Sequence, residues 1–289
     1  MPYPTISRLL LDHPYHLKGS IGISDQDDGW MNLYVQYVNT LKVEYHDPTW
    51  CHSWTVGSPP YFPNLHTLRM TYNDDGLAAS IHPGYPSRAC RLLGGISPTS
   101  VVLDMPSLDG MSPIALPGSI SRSVNDLTFI FGQRGCLTRH DKCRFDEDML
   151  ASLTLQRITM VFPPTIKSDE EEEDQEESRR GSISSYVISI LMAFEPSPIT
   201  IVNAGYDEKM GKGSSHLSMK ILDRKGPEMF KRRLEAMCKA HGWCEERIRK
   251  RQDTLRFLTM DEWAERSEMW DSKVERERVM RWKEVMGRA

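Results

Sequence analysis

Several short segments along the chain share one arrangement of apolar positions: an apolar residue, two others, an apolar residue, one other, an apolar residue. It reads most clearly in Val38-Asn-Thr-Leu41-Lys-Val43, Leu65-His-Thr-Leu68-Arg-Met70, Val124-Asn-Asp-Leu127-Thr-Phe129 and Leu155-Gln-Arg-Ile158-Thr-Met160. Val101-Val-Leu103-Asp-Met105 and Ile199-Thr-Ile201-Val202 are looser versions. Alternation of apolar and polar residues is the period of a strand that turns one face to a core. Anchors at Leu41, Leu68, Val101, Leu127, Ile158 and Ile199 follow one another at steps of 27, 33, 26, 31 and 41 residues. Such steps hold the crossover that parallel strands require, and they lie a little above the about 20 to 29 residues of a leucine-rich repeat. The asparagine ladder of regular repeats is absent, so the pattern predicts a degenerate solenoid or an irregular parallel sheet.

Between the strands, helices are expected over Trp30 to Val38, Phe145 to Leu153 and Ser184 to Phe194, where Val187, Ile188, Leu191 and Met192 fall at helical spacing. Pro98, Pro163, Pro196 and Pro198 stand where strand ends are expected. After about residue 224 the period becomes helical. Gly226-Pro227-Glu228 has the signature of a helix start, and Met229, Phe230, Leu234, Met237 and Cys238 form an apolar stripe that stops before Gly242. A second helix is expected from Cys244 to about Gln252. A third is announced by Thr259-Met-Asp-Glu262, which has capping-box spacing, and runs through Trp263 and Trp270. The predicted fold is α/β: an irregular, degenerate leucine-rich-repeat-like parallel sheet with crossover helices over residues 1–223, closed by a C-terminal helical cap over residues 224–289.

Charge adds one feature to this picture. The formal net charge of −4 conceals a run from Ser168 to Ser178 that holds eight acidic residues and no basic one, while Arg224 to Ala289 carries 18 Lys or Arg against 13 Asp or Glu. The acidic run repels itself and has nothing to bury, so residues 167–181 are expected to form a disordered excursion. Immediately after it, Arg179-Arg180-Gly181-Ser182 places two arginines ahead of a serine, which makes Ser182 a candidate phosphosite. With 39% hydrophobic and 26% charged residues the composition is that of a globular chain. No apolar run approaches the about 20 residues of a membrane span, no leader-like start is present, and six cysteines are too few for a secreted disulfide framework of this length. The expected setting is intracellular, cytoplasmic or nuclear, with reduced thiols.

Catalytic signatures are sparse. Gly205-Tyr-Asp-Glu-Lys-Met-Gly211-Lys212-Gly213-Ser214 follows a strand but departs from a phosphate-binding loop at two places. Five residues separate its glycines, and Gly213 occupies the position of the magnesium-binding hydroxyl. Cys136, His140 and Cys143, and again Cys238, His241 and Cys244, lack the paired spacing of structural zinc ligands. No G-x-S-x-G elbow, H-E-x-x-H pair or dinucleotide fingerprint occurs. The sequence therefore reads as an interaction module without a cofactor, ahead of an enzyme with an unrecognised site. A second reading rests on the basic groups Lys231-Arg232-Arg233 and Arg247-Ile-Arg249-Lys250-Arg251, which resemble a two-part nuclear import signal or a phosphate-binding face. On that reading the chain is a nuclear nucleic-acid-associated protein, with Trp263, Trp270 and Trp282 available to stack on bases.

Taken together, Tyr37 to Val43, Phe62-Pro-Asn-Leu-His-Thr-Leu-Arg-Met70, the strand from Val124 to Phe131, the helix and strand from Tyr186 to Asn203, and Leu255-Arg-Phe-Leu-Thr-Met-Asp-Glu-Trp263 resemble a family. It is that of the F-box-like, leucine-rich-repeat-like proteins expanded in basidiomycete yeasts. The resemblance covers the chain from about residue 13 onward and implies that the closing phrase from Leu255 begins the last helix. It also implies a protein partner held by the repeat part. Members of the family begin with an F-box-like helical segment that docks on the adaptor of a cullin-type ubiquitin ligase. Here Arg8 to Lys18 leads directly into repeat-like material with no Leu-Pro-x-Glu start, so the target-binding part is what the likeness implies and adaptor binding is not.

Overall fold

A computed structural model describes residues 8–11, 38–43, 62–71, 91–107, 116, 118–134, 154–162, 190–195, 197–203, 227–228, 230–232, 234–265, 280, 282 and 284. They form an α/β structure. Its strands are β1 (Arg8–Leu11), β2 (Thr40–Val43), β3 (Thr67–Thr71), β4 (Ser100–Ser107), β5 (Asp126–Arg134), β6 (Arg157–Val161), β7 (Ile199–Val202) and β8 (Leu255–Leu258). The helices are α1 (Arg91–Gly94), α2 (Gly118–Ser123), α3 (Glu245–Asp253) and α4 (Met260–Ala264), with further helical residues at 190–193 and within 227–240. Among the described residues no helix is long and apolar enough to cross a membrane. The chain falls into two compact units. One comprises Met1–Asp104, Gly110–Leu127 and Arg144–Leu155; the other comprises Met105–Asp109, Thr128–Cys143 and Gln156–Ala289.

In the first unit β1, β2, β3 and β4 pair in chain order, every pair parallel. The apolar anchors stand in register. Leu9, Leu41, Leu68 and Val101 form one row across the four strands, and Leu11, Val43, Met70 and Leu103 the next. Leu41, Leu68, Val101, Val43, Met70 and Leu103 are all completely buried. A one-residue slip would turn each of these to the opposite face, so the shared pattern sets the register. The strand starts repeat as well. The carbonyl of Asn39 accepts from the amides of His66 and Thr67, that of His66 from Thr99 and Ser100, and that of Thr99 from Asn125 and Asp126. Three successive strands thus hand on the same two-amide contact.

In the second unit β6, β7 and β8 also pair parallel and in chain order, with Ile158, Ile199 and Leu255 in one row and Met160, Ile201 and Phe257 in the next. Phe131 stacks on Phe162 at 4.7 Å and extends that core. Here two expectations are corrected. Leu255 to Leu258 does not begin the last helix, and residues 224–289 are not a purely helical cap, because this segment is strand β8. Leu-Arg-Phe-Leu alternates like the other strands, and the helix starts only at the capping box. There the Thr259 hydroxyl accepts from the Glu262 amide and the Glu262 carboxylate accepts from the Thr259 amide.

The alternate strand positions are polar, yet buried. Thr40, Thr67 and Ser100 form a row on the opposite face of β2, β3 and β4, and Arg69 and Asp104 lie beyond them, all at most 9% exposed. Arg69 Nη2 donates to Asp104 Oδ2 at 2.7 Å. In the second unit Thr128 and Thr159 are fully buried as well. Both faces of these strands are therefore covered, as in parallel α/β sheets generally. The expected helices at Trp30 to Val38 and Phe145 to Leu153, and the acidic excursion at 167–181, lie outside the described residues except for Val38.

Candidate interaction surface on the C-terminal helices

The cationic residues singled out by the sequence are carried by the helical residues within 227–240 and by α3, and the local sequence fixes how the two meet. In the first helix Leu234 and Cys238, one turn apart, are fully buried, and Phe230 meets Phe257 edge-on at 5.8 Å. The helix ends at Gly242, whose φ of +77° favours a residue without a Cβ. The Trp243 amide donates to the Cys238 carbonyl and the Gly242 amide to that of Lys239. This closure leads through the extended Cys244 into α3, whose first turn carries Glu245 and Glu246 and whose last turn carries Lys250 and Arg251, matching the helix dipole at both ends.

Arg247, Lys250 and Arg251 of the basic set are already engaged. Arg251 is 1% exposed. Its Nη1 donates to the Ser197 carbonyl at 2.7 Å and to Thr254 Oγ1 at 2.9 Å. Burial lowers its pKa to about 10, with Glu195 and Cys238 opposing the shift. Arg251 therefore drops out of any import signal or phosphate-binding face: with Ile248 it points inward on α3 and ties the start of β7 to the start of β8. Arg247 lies across the Trp243 ring at 3.8 Å and binds Glu195, its Nη2 2.6 Å and its Nε 2.8 Å from Oε2. The hydrogen bond to Glu195 raises the Arg247 pKa. Lys250 pairs with Glu246 at 2.9 Å along the helix surface. Arg232 and Arg249 are exposed, and among the described residues no ion pair holds either one. The Arg233 side chain and Ser182 lie outside the described residues.

The second cysteine cluster is split. Cys238 is buried while His241 and Cys244 are exposed. Burial raises the Cys238 thiol pKa, Glu195 adds to the rise, and Arg247 and Arg251 offset it in part, which keeps the group a neutral thiol. Among the described residues no three His, Cys, Asp or Glu side chains gather as a metal site. Cys136, His140 and Cys143, and the glycine-rich stretch Gly205 to Ser214, lie outside the described residues.

Two features escaped the sequence reading. Glu195 joins Arg247 from 52 positions away. Asn203 takes a left-handed conformation at φ 62°, and its Nδ2 donates to the Phe162 carbonyl at 2.8 Å, joining the ends of β7 and β6. Asparagine tolerates that conformation better than most residues, which is the one signal the sequence offered. Comparison of the chain with protein-family models, with curated proteins and with solved structures finds no match.

Proposed function

We propose that this chain is a protein–protein interaction module built on a degenerate, leucine-rich-repeat-like stack, akin to the target-binding part of F-box-like proteins, and that it works inside the cell. The observation that supports it most is the repeated strand start, in which the carbonyls of Asn39, His66 and Thr99 each receive two consecutive amides from the next strand. A unit that recurs with its neighbour contacts intact is the property of repeat arrays, whose role is to present extended surface to a partner. The charges on the C-terminal helices favour this reading over nucleic-acid association. Arg251 is buried and Arg247 is held by Glu195, so these two members of the basic group are not free to replace counterions on a phosphate backbone.

The test uses the full chain. Affinity capture from the native cell should retain a protein partner through nuclease treatment. The chain should leave heparin at low salt, with a shallow dependence of binding on ionic strength. Retention on heparin to high salt, together with nuclease-sensitive capture, would transfer the assignment to the nucleic-acid reading.

A further inference from the structure

Arg251 is a tie that stays partly unmade. Its Nη1 reaches the Ser197 carbonyl and Thr254 Oγ1, but among the described residues its buried Nε and Nη2 find no acceptor. Glu195, the carboxylate whose charge acts on this guanidinium, is bound by Arg247 instead. A buried donor without an acceptor gives up its water and regains nothing, and a buried cation without a bound carboxylate adds to that cost. Little apolar burial stands against it. α3 turns Ile248 inward beside Arg251, and of the four residues of β8 only Leu258 is buried. Arg247 and Gln252 add bonds at the exposed surface, to Glu195 and to the Lys231 carbonyl. By contrast, β6 and β7 meet through Ile158, Met160, Val161, Ile199, Ile201 and Val202, all buried. The carbonyls of Thr254 and Leu258 accept from the Ile199 and Asn203 amides, while those of Pro198 and Val202 accept from the Ile158 and Phe162 amides. Cys238, completely buried, feels the charges of Glu195, Arg247 and Arg251.

We propose that α3 and β8 open as one unit, lifting from β7 while the pairing of β6 with β7 stays closed. Thr254 alone separates the helix from the strand and is itself bonded to Arg251, so the two elements move together. Segments with few buried apolar side chains and surface-exposed bonds are the ones that open well before the whole fold does. This segment has both, and a charge that water solvates better than the interior does. In the open form the Arg251 guanidinium is hydrated, the outward edge of β7 is bare and the Cys238 thiol meets solvent. The segment is thus a strap whose closure is set by Arg251, whichever partner the chain binds.

Native-state exchange on the full chain tests the proposal at urea concentrations below the unfolding transition. Amide hydrogen exchange is read residue by residue, and maleimide labelling of Cys238 is read by mass spectrometry on the tryptic peptide Leu234–Lys239, which excludes Cys244. The Ile199 and Asn203 amides and the Cys238 thiol should report one shared opening. It should be about a hundredfold or more frequent than opening at the Ile158 and Phe162 amides, and should depend less steeply on urea. Arg251→Met removes the unpaired donors at similar volume and should make the shared opening about tenfold rarer relative to the Ile158 and Phe162 amides. Three results would each overturn the proposal: all four amides and the thiol opening together with the full urea dependence of unfolding, Cys238 reacting while the Ile199 and Asn203 amides stay protected, or a folded Arg251→Met variant with an unchanged ratio. The first two are read on the wild-type protein and do not depend on any variant.

Discussion

The rows of aligned anchors predict that one chemical change has very different costs at two places. Leu68 is completely buried on β3, in register between Leu41 and Val101. Leu255 holds the equivalent anchor of β8 in register with Ile199, but is half-exposed. Replacing leucine by alanine deletes three carbons, each contributing about 0.8 kcal/mol when fully buried. At Leu68 both neighbouring rows are immobilised by strand pairing and cannot collapse into the space, so a cavity term adds to the transfer term and the total is about 3 to 4 kcal/mol. At Leu255 part of the side chain already meets water and solvent fills the gap, leaving about 1 kcal/mol. Urea unfolding followed by far-ultraviolet circular dichroism gives both values, and hydrogen exchange at the β2 to β4 amides reads the Leu68 loss locally. Losses for Leu68→Ala and Leu255→Ala that agree within about 0.5 kcal/mol would refute the reasoning, because the two sites would then be equally buried.

Three further outcomes are expected. Asp104→Ala should cost about 3 kcal/mol by leaving the Arg69 charge buried without this carboxylate, and the double variant Arg69→Met with Asp104→Leu should recover most of it in a urea melt. Asn203→Ala should lose about 1 to 2 kcal/mol, combining the left-handed backbone with the lost bond to Phe162, and Asn203→Gly should lose less. For Arg251, folding disfavours the charged form, so the folded protein binds that proton more weakly than the unfolded chain and wild-type stability gains as pH rises through about 10. Groups common to both proteins cancel in a comparison with Arg251→Met, and the melting-temperature difference between the two should shift in favour of the wild type between pH 9 and pH 11 (about one unit either side of that pKa); a difference that stays flat across this window would refute the assignment.

Along the chain, the sequence by itself determined the strand anchors, because burying one face of a strand imposes a period of two that survives in the residues. Leu41, Leu68, Val101, Ile158 and Ile199 are all anchors in register as their spacing implied. The capping box at Thr259 and the helix stop at Gly242 were legible for a similar reason, since each depends on residues within one turn. What only the tertiary structure decided involves partners distant in sequence. Leu255 to Leu258 is too short for its pattern to separate a strand from a helix start, and pairing with β7 settles it. The alternation assigns one face of β2, β3 and β4 to a core, and packing buries the polar residues of the other face as well. Arg251 sits within a basic run that looks like a surface patch, and the inward turn of α3 onto Ser197 and Thr254 converts it into a buried tie. A charge in the sequence carries no record of whether water or protein surrounds it, and that difference divides the candidate binding residues from the structural ones.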